Sequence, residues 1–239
     1  MSVRIGLAMQ DDFQQHLAKL KDELLMMASY AETAVSEAVK AVAERDDGAA
    51  QSVQNGDIII DQYEMKLDEL AINLLADSVP SRKDLRLITV AMKTSHDLER
   101  VGDEATTIAR RALELNREPP IKEMDGVRQL ATMAIEMLNS SLDALVNGDC
   151  VLAHAVIARD HEADVVYHEL YRELFELMQT RPGTIERCLH LMVVSKSLER
   201  VADHATNIAE EAVYLFEGRD IRHTGKGTRA PAIPNQSTI

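Results

Sequence analysis

Tryptophan is missing from this chain, and aromatic residues of all kinds make up only 3% of it. A core built without them relies on Leu, Ala, Val, Ile and Met, most of which favour helices. Glycine and proline are scarce too, at 10 and 6 in 239 residues. Strand-rich folds need frequent turn residues, so this shortage points to a few long elements. The only cysteines are Cys150 and Cys188. Two cysteines make no disulfide framework and show no zinc-site spacing, so reduced packing residues are expected. The opening MSVRIGLAMQDD lacks the apolar segment and cleavage site of a signal peptide. No apolar run approaches a membrane span. The expectation is a cytoplasmic protein without membrane insertion.

Positive charge is also in short supply. Lys and Arg number 26 against 40 Asp and Glu, a formal net charge of −14. Such a chain repels nucleic-acid phosphates, and no arginine-rich cluster offsets the repulsion. Cation binding or a basic protein partner fits the charge better.

What is present is helical periodicity, twice over. Residues 12–45 carry Leu17, Leu20, Leu24, Ala28, Ala31, Val35, Ala38 and Val42 at three- and four-residue spacing. Asp46-Asp47-Gly48 ends this helix, and a second is expected over 49–76. Pro80-Ser81 opens a third, with Ser81 and Asp84 resembling a capping signature, and Pro119-Pro120 stops it near 116. The second half repeats the plan with helices over 124–146, 150–179 and 184–216. Residues 31–61 align with 134–164 at an offset of 103, and the third helices align at an offset of 100. A period of that size marks an internal duplication. The expected fold is all-α, two tandem three-helix bundles with six long helices. The first repeat spans 12–117, a linker 118–123 and the second repeat 124–217. The tail 218–239 is expected to be mostly disordered, with 220–223 docking on the last helix.

The third helices carry the chemistry. Residues 98–109 read LERVGDEATTIA, and 198–209 read LERVADHATNIA. Both copies keep a carboxylate pair four residues apart, Glu99 with Asp103 and Glu199 with Asp203. Residues at that spacing share a helix face, where two like charges destabilise the helix unless something compensates. A hard cation does so, and it needs more oxygens than one pair supplies. Asp57 and Asp61, with their repeat equivalents Asp160 and Asp164, offer a second acidic ridge on the preceding helix. Asn207 continues the spacing from Asp203 as a further oxygen ligand, whereas His204 reads as a surface histidine. With Leu98 at the centre of the apolar stripe, the carboxylates fall about 100–140° away. That placement at the shoulder suits an exposed or half-exposed metal patch. One isolated pair would be better explained as a solvated face, but packing does not explain two charges kept in two diverged copies.

These residues resemble the PhoU family of phosphate-signalling regulators, characterised by a duplicated three-helix unit and Glu-x-x-x-Asp motifs. The later motif is extended to Glu-x-x-x-Asp-x-x-x-Asn, here Glu199, Asp203 and Asn207; the first copy has Thr107 in place of Asn. The likeness covers residues 12–223, including Arg222-His223. It implies helical bundles carrying multinuclear iron or zinc clusters; the oxygen-rich donor set by itself also admits manganese or magnesium. It also implies a cytoplasmic negative regulator of phosphate uptake and starvation signalling. Such a regulator couples the ATPase subunit of a phosphate transporter to a sensor histidine kinase, often as a homodimer. Two other readings compete. One is a metal-free helical scaffold. The other is a di-iron carboxylate oxidoreductase, which needs Glu-x-x-His motifs, and no histidine here follows a glutamate by three residues. With no nucleophile–base pair, phosphate-cradling Gly loop or redox cysteine pair visible, no enzymatic activity is expected.

Overall fold

A computed structural model describes residues 2–77, 79–121 and 125–222. The expected disorder of the tail beyond Arg222 lies outside the described residues. Six helices follow one another: α1 Ser2–Glu44, α2 Asp47–Asp77, α3 Arg82–Asn116, α4 Asp125–Asn147, α5 Cys150–Thr180 and α6 Ile185–Glu217. A single 3-10 turn, Pro182–Thr184, leads into α6. No strand occurs among the described residues. The chain is all-α, with α1, α2 and α3 packed as one bundle and α4, α5 and α6 as the other. Helix α1 starts ten residues before its apolar periodicity does. Nothing in residues 2–11 except Gly6 opposes a helix, so the backbone continues beyond the stripe that defines its packed face.

The turns show why the halves match. In the first, Asp46 Oδ1 accepts from Ala49 N at 3.1 Å; in the second, Asp149 Oδ1 accepts from Leu152 N at 2.9 Å. Both aspartates satisfy orphan N–H groups at the start of the second helix of their repeat. The residue before each takes the left-handed conformation, Arg45 with φ 60° and Gly148 with φ 70°. Glycine accepts that geometry freely, whereas arginine pays a steric cost of about 1 kcal/mol. Arg45 is compensated: its guanidinium donates to Asn116 O and Glu118 O, both at 2.7 Å. Those bonds cover carbonyls at the end of α3 and tie down the linker. Arg187 clamps the same linker from the second half, donating to Pro119 O at 2.7 Å. Gly148 has no such compensation, and a Cβ there would meet the Phe216 ring at 2.9 Å. Gly148→Ala is therefore expected to lower stability by about 1–2 kcal/mol, read by denaturant melts. At the start of α3, Ser81 Oγ accepts from Asp84 N at 3.2 Å while its hydroxyl donates to Asp84 Oδ2 at 2.7 Å. That is the capping signature expected from the sequence.

The bundles are joined mainly by α3 against α6, with a smaller contact between α1 and α4. Polar pairs give the direction of the joint. Lys93 meets Glu211, Asp97 meets His204 and Asn207, and Glu104 meets Arg200. Numbering rises on one helix as it falls on the other, so α3 and α6 are antiparallel. Their two LERV segments cross near Gly102 and Ala202, both buried. A Cβ on Gly102 would meet Ile60 at 2.9 Å. The equivalents, Ala202 and Ala163, divide the same volume differently. Leu98, Val101, Ala105 and Ile108 are fully buried, as are Leu198, Val201, Ala205 and Ile208.

Candidate functional site

Because α3 and α6 run antiparallel about their motifs, the two acidic ridges open into one shared groove. It encloses about 990 Å³ and is lined by Asp57, Asp103, Asp160, Asp203 and Asn207, among others. Four candidate carboxylates, two from each half, thus line one space. Glu99, Asp61, Glu199 and Asp164 flank this groove without lining it. They act on it electrostatically: Asp61 lies close enough to perturb Asp57, and Glu199 and Asp164 perturb Asp203.

The charges crowd one another. Desolvation pushes the Asp57 carboxyl above the usual range; Thr106 opposes this, and Asp61 and Asp103 reinforce it. Glu99 is raised by burial first and then by Asp103, with Arg100 opposing. Asp203 is pushed furthest, to about 6, by desolvation in the groove, then by Glu199 and Asp160. Part of Asp203 still reaches solvent through the open groove. Burial first and like-charged neighbours second hold these carboxyls back from ionising, and the arginines that also line the groove, Arg100, Arg110, Arg200 and Arg222, offset that deficit of positive charge only in part. A cation would remove that deficit, and an all-oxygen donor set suits iron, manganese, magnesium or zinc. The residues fit a metal on this ground.

Threonine was the signal the sequence reading missed. Thr206 Oγ1 donates to Asp160 Oδ1 at 3.1 Å, orienting that carboxylate from α6. Thr106 holds the equivalent place beside Asp57. Both lie seven residues after their Glu, a repeat match hidden by the commonness of threonine on helices.

Two expectations need correction. Glu199 is only 8% exposed, not half-exposed. Its place on the wheel is at the shoulder, but Lys196 covers it by donating to Oε2. His204 is not a free surface histidine: its Nδ1 lies 2.8 Å from Asp97 Oδ1 across the joint. Asn207 turns its amide nitrogen to the same oxygen at 3.0 Å, which leaves only its own oxygen for a ligand role. The arginines beside each motif also behave differently. Arg100 folds back to Asp103 at 3.2 Å, while Arg200 crosses to Glu104 at 2.9 Å. The mirror contact, Arg100 with the residue at 204, would set a cation against histidine. Arg100 accordingly stays on its own helix, and His204 lies against Asp97.

The model of the PhoU domain matches this chain twice, over residues 24–112 and 127–212. The chain belongs to the PhoU family. A phosphate-specific transport system accessory protein PhoU homolog of Pseudomonas putida is 40% identical over 215 residues, 89% of this chain and 84% of that protein. The Aquifex aeolicus homolog with the same description is 37% identical, over 87% of this chain and 95% of its own length. The crystal structure of PhoU from Pseudomonas aeruginosa superposes with a TM-score of 0.84 at 38% identity, covering 87% of this chain and all of that one. The regulatory protein PhoU from Streptococcus pneumoniae gives 0.80 at 28% identity, covering 87% and 99%. The two matched PhoU segments together contain every candidate carboxylate, so each half of the groove is a PhoU domain's own contribution. Among the described residues no helix is long and apolar enough to cross a membrane.

Proposed function

We propose that this PhoU-family chain is a non-enzymatic, cytoplasmic negative regulator of phosphate uptake and phosphate-starvation signalling. In this reading it links the ATPase subunit of a phosphate transporter to a sensor histidine kinase and works as a homodimer. The observation that carries the reading is the double PhoU match across nearly the whole chain, with relatives described as accessory proteins of phosphate transport. Deleting the gene is expected to switch the starvation regulon on in phosphate-rich medium, measured by transcript abundance. An unchanged regulon, together with no capture of ATPase or kinase by the purified protein, would sink the proposal.

The groove's part in this role is to hold iron or zinc, with manganese or magnesium as alternatives. Asp57 and Asp103 would bind from the first half, and Asp160, Asp203 and the Asn207 oxygen from the second. Glu99, Asp61, Glu199 and Asp164 complete the negative field around them. A metal there supplies fixed positive charge, which neutralises both halves at their joint. One observation favours a metal-free scaffold: Lys196, Arg100 and Arg200 already neutralise Glu199, Asp103 and Glu104. Elemental analysis of untagged protein decides between them. The Asp57→Asn/Asp160→Asn variant is expected to lose most of the bound metal while keeping its helical circular dichroism. Equal metal content in the parent and this variant would support the scaffold.

A further inference from the structure

Outside the groove, the two repeats differ at one place next to the motif. In the first half, Glu64 of α2 and His96 and Glu99 of α3 bring one ligand atom each within 4.8 Å of one another. His96 Nδ1 and Glu64 Oε1 are 3.2 Å apart. A tetrahedral ion with bonds near 2.1 Å holds its ligand atoms about 3.4 Å apart. Glu99 Oε2 is buried and accepts no hydrogen bond. Arg100 Nε lies 3.2 Å from that oxygen, without the alignment of a hydrogen bond. Glu99 Oε2 is thus ion-paired with Arg100 but accepts no hydrogen bond, at a point where His96 is open to solvent.

The second half shows what that point requires. At the repeat offsets, Glu64 corresponds to Tyr167, His96 to Lys196 and Glu99 to Glu199. The Lys196 ammonium donates to Glu199 Oε2 and stands 5.4 Å from the centre of the Tyr167 ring. A positive charge thus sits between these positions, held by a carboxylate and an aromatic face. The first half has the same carboxylate, lacks the lysine, and has an imidazole and a second carboxylate instead. Those are the ligand types that hold a borderline divalent ion.

We propose that Glu64, His96 and Glu99 form a separate site for a single zinc-class divalent cation, whose counterpart in the second half is the Lys196 ammonium. The ion takes the imidazole Nδ1 and one oxygen from each glutamate, and water fills the open position. The site shares only Glu99 with the acidic motif and does not depend on metal in the groove. It gives the two repeats different cation chemistry: a mixed nitrogen and oxygen site that loads and unloads in one, and a permanent ammonium in the other.

The test titrates the full chain, stripped of metal by chelator, with zinc in a calorimeter, and records X-ray absorption of the loaded protein. The parent should show imidazole scattering. His96→Ala should abolish that scattering and weaken zinc binding at one site by at least about 100-fold. Asp57→Asn/Asp160→Asn should retain the scattering. Tyr167→Glu/Lys196→His should gain one equivalent of zinc. Zinc bound equally by the parent and the groove variant, but less by His96→Ala, would support this site while counting against metal in the groove. The same stoichiometry and affinity in the parent and His96→Ala, or no imidazole scattering in the parent, overturns the proposal.

Discussion

Asp203→Asn should make the metal-free protein more stable at pH 8 and leave it unchanged near pH 4. The folded protein raises this carboxyl from 3.8 to about 6, through desolvation and then through Glu199 and Asp160. A group whose acid form is favoured by folding contributes stability below its unfolded pKa. That contribution fades as pH rises through about 6, and at pH 8 the ionised group works against the fold. Asparagine has no charge to lose, so its advantage opens between about pH 4 and pH 6 and is full above. A two-unit shift corresponds to about 3 kcal/mol for a shielded group. Asp203 is accessible through the groove, and screening brings the expected gain nearer 1 kcal/mol. For a chain of this size that is about 2–4 °C in melting temperature. With saturating metal the order should reverse, because a cation bound to the native state stabilises the parent more than the variant. Paired melts in chelator and in metal, at pH 4 and pH 8, check both signs. A variant less stable than the parent at pH 8 in chelator would show that the groove carboxylates are already compensated.

Leu198→Ala should cost about 3–5 kcal/mol. Leu198 is fully buried and borders a small pocket of about 20 Å³ shared with Val39 of α1, Ile108 of α3 and Val127 of α4. Truncation removes apolar contact and enlarges a space that already exists, where four helices from both halves meet. Large-to-small changes cost most where the surroundings cannot close in, and helices held from several sides have little freedom to do so. Denaturant unfolding should show a lower midpoint with helical content retained in buffer. A loss under 1 kcal/mol would mean that the joint between the halves repacks easily.

The duplicated period, the helix stops and the scarcity of turn residues made the six helices readable in advance, and the structure matched their ends closely except at the start of α1, which lies ten residues earlier than the apolar stripe. Such ends are set by local chemistry. Asp46, Asp149 and Ser81 cap the helices that follow them, and Gly218 ends α6 in the left-handed conformation. The site was only partly readable. Spacing along a helix showed that Glu99 shares a face with Asp103, and the repeat offsets paired Asp57 with Asp160. Neither says what lies across a joint. The burial of Glu199 under Lys196, the contact of His204 with Asp97, and the approach of Glu64 to His96 each depend on residues 3 to 107 positions apart. Two of the three cross between helices, which periodicity within one helix does not register.

By itself, the sequence determined the all-α class, the duplication and the acidic pairs of each third helix, because these follow from helical period and local capping. Only the tertiary structure decided that α3 and α6 meet antiparallel. That arrangement turns two acidic half-sites into one groove, and it rests on pairs such as Lys93–Glu211, Asp97–His204 and Glu104–Arg200, 96 to 118 residues apart, which the period of a single helix does not encode.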